Sequence, residues 1–494
     1  MTPTSSVKKA FALPFKGLAL GADMLVRGRL LKRHTGAQYA SKSETRSFLS
    51  AANSGLLIDG RSLRLSDTES FQNVCVIAGI GAGKTRNYII PNVLDKADRN
   101  ASMVINDPKG EVFAATAGAL TAAGYKIIVL NPEDPARSHR FNPLVEAQSE
   151  IEIEQMAELI IRAGNPHDKD PFWNNGAIRM AAVFLKALAY TARATGRDVF
   201  TLANLAVLFK HFGANGRALE PFMLNACINP SNPSDPRLWD DWMGCLTGNT
   251  DGIASFALNG VTATRAMSNP NITWMTARSD FSLAHMREKR TALFLITPAQ
   301  HADYYSFLTS VVMRALLNGA MRHMPGPKEL PVYFFLDEFA TMTIPGFVAT
   351  ANTIRAYKVS LSIALQSIAQ LNARYGADQA HAIAGGFKTF MTYPGSDLET
   401  TQLFERLIGK VRERERPSLS PTATTQYREF NLINQNEVRT LKAGHALVVS
   451  LNRNPVMLRV HPVQDSWRFR RLMARRYAIP RRTPDLAEIE RIRL

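Results

Sequence analysis

The chain has 494 residues, 46% apolar and 20% charged, the balance of a globular protein with a sizeable core, which excludes a disordered or low-complexity chain. Lysine and arginine outnumber aspartate and glutamate by 59 to 42; the formal charge of +17 points to an anionic partner, nucleic acid or membrane surface, though surplus base also serves as plain solubilising charge. Cys75, Cys227 and Cys245 have neither metal-site spacing nor an even count, which excludes a disulfide framework and suggests a reducing compartment.

Residues 1–34 carry Lys8, Lys9, Lys16, Arg27, Arg29, Lys32 and Arg33 against Asp23, with Phe11, Leu13, Phe15, Leu18 and Leu20 among them. Two readings stand: a basic amphipathic surface segment, or a basic tail packed on its own protein. The apolar stretch Ala10 to Val26 is interrupted by Pro14, Lys16 and Asp23, short of the roughly twenty residues a membrane-spanning helix needs. No signal-peptide cleavage pattern is evident. Residues 35–72 predict short strands and turns, with a hairpin closed at Asp59-Gly60.

Val74 to Ile77 is a buried strand running into Ala78-Gly79-Ile80-Gly81-Ala82-Gly83-Lys84-Thr85. Such a glycine-rich turn wraps its backbone N–H groups around a polyphosphate. Its lysine reaches the outer phosphates and its hydroxyl holds magnesium. Gly79, Gly81, Ala82, Gly83, Lys84 and Thr85 are therefore candidate nucleotide-binding residues, with Thr85 a magnesium ligand. Ala78 stands where the strict pattern has its first glycine. A helix begins at Lys84, and Pro91 is expected to kink or stop it.

Ser102 to Asn106 and Lys126 to Leu130 predict two further strands, with a helix from Gly110 to Ala123 between them. Strand–helix–strand alternation at this spacing gives an α/β fold with a mainly parallel sheet, and ligands bind such sheets at the strands' C-terminal ends. Asp107 reads evenly as a site residue beside the phosphate loop or as a plain turn acid. From about Gln148 strand signals fade, and Glu152 to Ala163, Asn174 to Thr195 and Leu202 to Phe212 predict helices. We read an all-α domain inserted over 148–281, with a proline-rich loop from Asn229 to Pro236.

The α/β pattern resumes with strand Thr291 to Pro298 and a helix from Tyr304 to His323. Val332 to Leu336 is an apolar strand ending in Asp337 and Glu338. At the neighbouring strand end of a phosphate-loop nucleotidase, the first carboxylate holds magnesium and the second orients the attacking water. Strand Val359 to Leu365 ends at Gln366, a candidate sensor of the γ-phosphate or lytic water. Arg355 reads equally as a charge clamp, in its own or a neighbouring subunit, and as a surface arginine. Gly409 to Arg416 and Ser418 to Thr425 predict exposed loop, Phe430 to Leu441 a helix, and His445 to Leu451 with Val456 to Val460 a hairpin. From Trp467 the chain turns arginine-dense: a contact for phosphates of DNA or anionic lipid, or a solvated helical tail.

Taken together these motifs resemble the type IV secretion coupling proteins, the conjugative DNA-transfer ATPases. The resembling stretches are Gly36 to Ala40, the phosphate loop with Ile89 to Leu94, Asp107-Pro108-Lys109-Gly110-Glu111, Phe141 to Leu144, Leu336-Asp337-Glu338-Phe339, Gln366 to Leu371, Tyr375-Gly376 and Asn454 to Val456, collinear over about 36–465. The resemblance implies a RecA-like P-loop NTPase domain with an inserted all-α domain, and ATP and Mg2+ as cofactors. It implies nucleic-acid-stimulated ATP hydrolysis in a homo-hexamer. It implies DNA, single- or double-stranded, a relaxase or other secreted protein, and other type IV secretion components at the inner membrane as partners. The catalytic set carried over is Lys84, Asp337, Glu338, Gln366 and, acting in trans, Arg355; Thr85 and Asp337 hold the metal.

On this reading residues 1–34 are a basic segment, 35–147 and 282–465 the two parts of the nucleotide-binding domain, 148–281 the inserted domain and 466–494 a basic tail. Members of the family typically begin with two membrane-spanning helices, and none is read here. The expected location is therefore cytoplasmic, peripheral at the inner membrane, attached through a partner or the basic segment. A non-hydrolysing adaptor that recruits protein cargo through the all-α domain, and a chromosome-partition translocase of the same fold, are the alternatives.

Overall fold

The computed structural model describes residues 34–165, 171–228, 236–414 and 427–494. The basic segment before residue 34, most of the proline-rich loop and the Ser/Thr-rich stretch 418–425 lie outside them.

In chain order the strands are β1 His34–Gly36, β2 Val74–Ile77, β3 Ser102–Asn106, β4 Lys126–Leu130, β5 Thr291–Leu295, β6 Val332–Leu336, β7 Val359–Leu365, β8 Thr389–Thr392, β9 Lys410–Arg414, β10 Tyr427–Asn431, β11 His445–Ser450 and β12 Val456–Arg459. Nine of them form one sheet in the order β12-β11-β8-β2-β7-β6-β3-β5-β4. From β8 to β4 all pairings are parallel, and β11 and β12 add an antiparallel edge. Central strands are buried on both faces, so they read as unbroken apolar runs. Alternate residues still serve opposite cores: Cys75, Ile77, Phe334 and Leu336 face one, Val74, Val76, Tyr333 and Phe335 the other.

The strand order corrects one expectation. The carboxylate strand β6 is not the neighbour of the loop strand β2; β7 lies between them, hydrogen-bonded to both. Strand order is a nonlocal property that no short motif encodes.

Between β4 and β5 the described residues form only helices, the longest being Glu150–Gly164, Pro171–Thr195 and Thr250–Ala263. Their core is not sealed off from the sheet. Phe184, Phe209 and Trp242 belong to one continuous apolar cluster with Ile128, Leu130, Leu293 and Phe334, joined through Leu308, Val312 and Leu316 of helix Ala302–Ala320. The tryptophans there are packing residues; Trp242 is fully buried between Phe184 and Phe212.

Three other segments depart from the sequence reading. Residues 42–48 form a helix, Lys42–Phe48, not a strand or turn; Ser41 and Glu44 close a capping box at its start. Lys410–Arg414 is a strand, not loop. It is the centre of a three-stranded antiparallel sheet with β1 and β10, where Arg412 meets Glu429 across strands at 2.6 Å. Its dense charge hid the ladder, because pairing on both sides rests on backbone groups and not on apolar side chains. Phe430 to Leu441 divides into the end of β10 and a short helix, Gln435–Arg439, capped by Asn434 with Glu437.

The arginine-dense end is neither free nor wholly helical. Helix Trp467–Met473 packs Phe469, fully buried, on the core at one face of the sheet. Beyond it the chain runs extended over helix Glu111–Ala122, where a Cβ on Gly118 would sit 2.3 Å from the Arg475 carbonyl. It passes the edge beyond β4, where Arg482 N–H donates to Ala136 O at 2.7 Å, and ends on the helical region, with Ile492 buried in the core of the other face. Among the described residues no helix is long and apolar enough to cross a membrane.

Candidate functional site

Parallel strands bring their C-terminal ends to one edge, and there the chain places nearly every polar group picked out by motif. After β2 the loop 78–84 turns through two glycines with positive φ, Gly81 at 74° and Gly83 at 86°, a region L side chains rarely enter. Gly79 is required for a different reason: an added Cβ would lie 2.9 Å from the Gly395 carbonyl. Ala78 has no such need. It is fully buried, it is not among the positive-φ residues, and its N–H donates to Leu365 O at 3.0 Å as a last rung of the β2–β7 ladder. A methyl fits there, so Ala78→Gly is expected to change nucleotide affinity by less than about twofold, under the 1.4 kcal/mol of a tenfold effect. Titration with a fluorescent nucleotide checks this, and a tenfold change would show that the position matters.

The helix after the loop opens with a π-turn, Thr85–Ile89, and continues as Ile90–Lys96. Pro91 therefore does not stop it. The π-turn shifts the bonding pattern, with Ile90 N–H reaching Thr85 O, and absorbs the missing N–H of the proline.

Lys84 is 8% exposed, and its Nζ donates to Ala78 O at 2.7 Å and lies 3.4 Å from Gly79 O, across the mouth of the loop. Burial lowers its pKa, and the charges of Glu338 and Asp337 oppose that fall. Thr85 Oγ1 donates to Asp337 Oδ2 at 2.7 Å, joining the loop directly to the end of β6. Asp337 is 5% exposed, and its other oxygen, Oδ1, is buried with no hydrogen-bond partner. Burial raises its pKa, Thr85's hydrogen bond pulls it back and Glu338's charge adds to the rise.

Glu338 adopts a left-handed backbone, φ 56° and ψ 47°, which costs a non-glycine residue roughly 1–2 kcal/mol. Such strain persists where neighbours over-determine it. Here Thr341 donates to Glu338 O through its N–H at 2.9 Å and its hydroxyl at 2.8 Å. The carboxylate is fixed too: Gln366 Nε2 donates to Oε1 at 3.0 Å and Oε2 at 2.7 Å, and Gln370 Nε2 donates to Gln366 Oε1 at 3.1 Å. Lys109 Nζ stands 4.0 Å from Glu338 Oε1. Gln366, read as a sensor of the γ-phosphate or lytic water, thus lies in the edge between β2 and β6 with its amide N–H groups on the Glu338 carboxylate.

Asp107 makes a turn acid's contact and stands beside the site. Its Oδ2 accepts Phe113 N–H at 2.7 Å at the start of helix Glu111–Ala122, and it lies within the field of Asp337. Burial pushes its carboxyl up to about 6; the backbone N–H groups of Phe113 and Val112 pull it down, and Asp337's charge pushes it further up. Asn106 completes the edge, donating Nδ2 to Asp337 O at 2.7 Å. No part in the site was read for Asn106, Lys109, Thr341 and Gln370, although Lys109 and Gln370 fall in the stretches Asp107–Glu111 and Gln366–Leu371. The strand-end rule for parallel sheets would have picked out Asn106 and Lys109, and the Gln366–Leu371 stretch Gln370; Thr341 carries no local signal.

Arg355 is not in this chain's own site. It is exposed on the turn before β7, at the edge of the sheet opposite the loop, and β7 runs seven residues from there to Gln366. At about 3.3 Å per residue that is ~20 Å.

A cleft of about 170 Å³ is lined by Pro108, Lys109, Thr297, Glu338, Thr341 and Gln366. A larger one of about 470 Å³, bounded by Phe48, Ile408 and Val456, lies away from these groups and has no such convergence of charge. Around the edge, Asp107, Asp337 and Glu338 outnumber Lys84 and Lys109. With the unpartnered Asp337 Oδ1 and the Thr85 hydroxyl beside it, this donor set fits a hard divalent cation with oxygen ligands, of which magnesium is the type.

Comparison with known proteins agrees with the geometry. The family described as type IV secretory system conjugative DNA transfer matches residues 33–461. Protein VirD4 of Agrobacterium fabrum is 25% identical over 404 residues, 78% of this chain and 57% of that protein. The chain thus spans a little over half the length of such relatives. Among solved structures, the bacterial conjugative coupling protein TrwBdeltaN70 in an unbound form superposes with a TM-score of 0.67 at 17% identity, covering 87% of this chain and 94% of that one. The plasmid coupling protein TrwB in complex with ADP and Mg2+ gives 0.66 at 15% identity, over 87% and 94%. The fold is the RecA-like α/β fold of a P-loop NTPase.

Proposed function

The chain belongs to the type IV secretory conjugative DNA-transfer family, and on that premise we propose that it is the ATP-hydrolysing coupling protein of a conjugation or secretion system, delivering DNA or a protein–DNA substrate to the channel. The observation that carries this reading is the 2.7 Å contact of Thr85 with Asp337, which joins a phosphate-binding loop to a carboxylate pair at one sheet edge. A likeness to TrwB, whose structures include one with ADP and Mg2+, supports the choice of ligands.

In this mechanism the backbone N–H groups of loop 78–84 cradle the phosphates. Lys84 exchanges the Ala78 carbonyl for phosphate oxygens as charge builds on them. Thr85 and Asp337 would hold magnesium, which when bound offsets the charge on the phosphate oxygens. Glu338 polarises the attacking water and takes its proton, and Gln366 keeps that carboxylate aimed. We propose that Arg355, exposed and remote from its own site, serves a neighbouring copy in a ring, and that the ring is a homo-hexamer. Residues 148–281 would receive substrate, with 35–147 and 282–465 as the nucleotide-binding unit. Attachment at the inner membrane would come from a partner or from residues 1–34.

The test is ATP turnover by the purified chain with and without single- and double-stranded DNA. Stimulation of at least tenfold is expected, about 1.4 kcal/mol off the barrier. Hydrolysis absent under every DNA condition would end the motor reading and leave the adaptor.

A further inference from the structure

Asn204 carries a signature of peptide recognition. It lies in the first turn of helix Leu202–Lys210 and is fully buried, and its amide is shared between nearby backbone and backbone far away in sequence. Nδ2 donates to Val199 O at 2.8 Å and to Glu490 O at 3.0 Å, while Oδ1 accepts Ile492 N–H at 3.3 Å. One side-chain amide thus reads a carbonyl and an N–H two residues apart, the spacing of an extended segment. Arg197 adds Nη2 to Arg491 O at 3.2 Å and Nε 3.2 Å from Glu490 Oε2. Upstream, Glu488 Oε2 lies 3.2 Å from Arg140 Nη1 and 3.1 Å from Arg278 Nη2. Ile492 fills an apolar socket and is 9% exposed.

We propose that this groove is a docking site for an acidic peptide of the pattern Glu-x-Glu-x-Ile, its first glutamate leaving a turn and its last three residues extended, occupied in cis by residues 488–492 as a displaceable latch. The occupant in cis is the segment 488–492, and a partner protein presenting the same chemistry displaces it. The chemistry supports both halves. Four basic or amide groups on the groove face two carboxylates and the backbone of one short segment, which gives direction and register. Two of the pairs, Arg278–Glu488 at 46% and 51% and Arg197–Glu490 at 41% and 40%, are half-exposed side chains that hold weakly against water and salt, while Arg140, 13% exposed, is the shielded partner of Glu488 and the Glu490 Oε2 atom itself is buried. Asn204 and Ile492 are left as the two anchors. Upstream of the segment, Arg482 pairs with Asp280, itself bonded to Arg140 at 3.1 Å, a second tie to the same region that the latch does not carry. Releasing the latch frees that region from one of its ties.

The experiment uses the full chain, wild type and Ile492→Asp, with a fluorescent peptide of residues 484–494 as the probe and trypsin cleavage after Arg482 and Arg491 as the measure of docking. A tethered segment acts at an effective concentration of roughly millimolar, so micromolar peptide is excluded from the wild type. Ile492→Asp is expected to be cut at least tenfold faster and to bind the peptide at least tenfold more tightly than the wild type does. A peptide carrying Glu490→Lys or Ile492→Asp should not bind, and these controls leave the protein's fold untouched. The proposal is overturned if cleavage of the variant is unchanged, if the tail is released but the groove takes no peptide, or if the altered peptides bind equally well. A shift of the variant's oligomeric state without peptide binding would also overturn it, by making the tail an exchange between copies.

Discussion

Lys84→Ala is expected to remove ATP turnover, lowering kcat/KM by at least about 10²–10³, the usual loss when one charged donor to a developing oxyanion is deleted. The expectation rests on where Lys84 sits. Its amine is bonded to two loop carbonyls and to nothing outside the loop, so its loss costs the fold little while the phosphate cradle loses its buried cation. Burial has already lowered its pKa, and two carboxylates nearby sustain its charge. Turnover with and without DNA, beside a thermal melt that shows the variant folded, is the measurement. Undiminished hydrolysis in a folded variant would place the chemistry elsewhere.

Glu338→Gln should have an effect of comparable size and a different character. Removing a positioned general base costs typically about 10²–10⁴ in rate. The isosteric amide leaves the cradle, Thr85 and Asp337 in place, so binding should persist while kcat falls. The variant is expected to retain ATP through gel filtration where the wild type retains ADP. A fall in affinity with kcat unchanged would instead make Glu338 a binding residue. The left-handed backbone at this position supports the first outcome, because strain of that kind is tolerated where a side chain must be aimed.

Much of this edge was legible because it is built from local signals. A buried apolar run followed by polar residues marks a strand end in a parallel sheet, and β2, β3, β6 and β7 all carry that mark. What stayed hidden was relational. That β7 lies between β2 and β6 follows from crossovers through distant helices. That Arg355 sits at the far edge follows from strand direction, once the turn before β7 is known. The Ser41-Glu44 capping box was a local signal that went unread. The tail misled in another way: its arginines drew attention to an outside anion, while Arg468 and Arg482 pair with this chain's own Asp95, Asp98 and Asp280, and Phe469, Glu488, Glu490 and Ile492 add contacts in a sparse set with no periodicity.

The interposed strand has a further consequence for what the loop is free to change. Adjacent strands stand about 4.8 Å apart, so the ends of β2 and β6 are separated by roughly twice that. The Thr85–Asp337 contact exists because residues 78–84 arch over the end of β7 to cover the gap. The sheet therefore acts as a ruler for this segment. Composition can drift wherever φ stays ordinary, as the methyl of Ala78 shows, but the number of residues in the arch cannot.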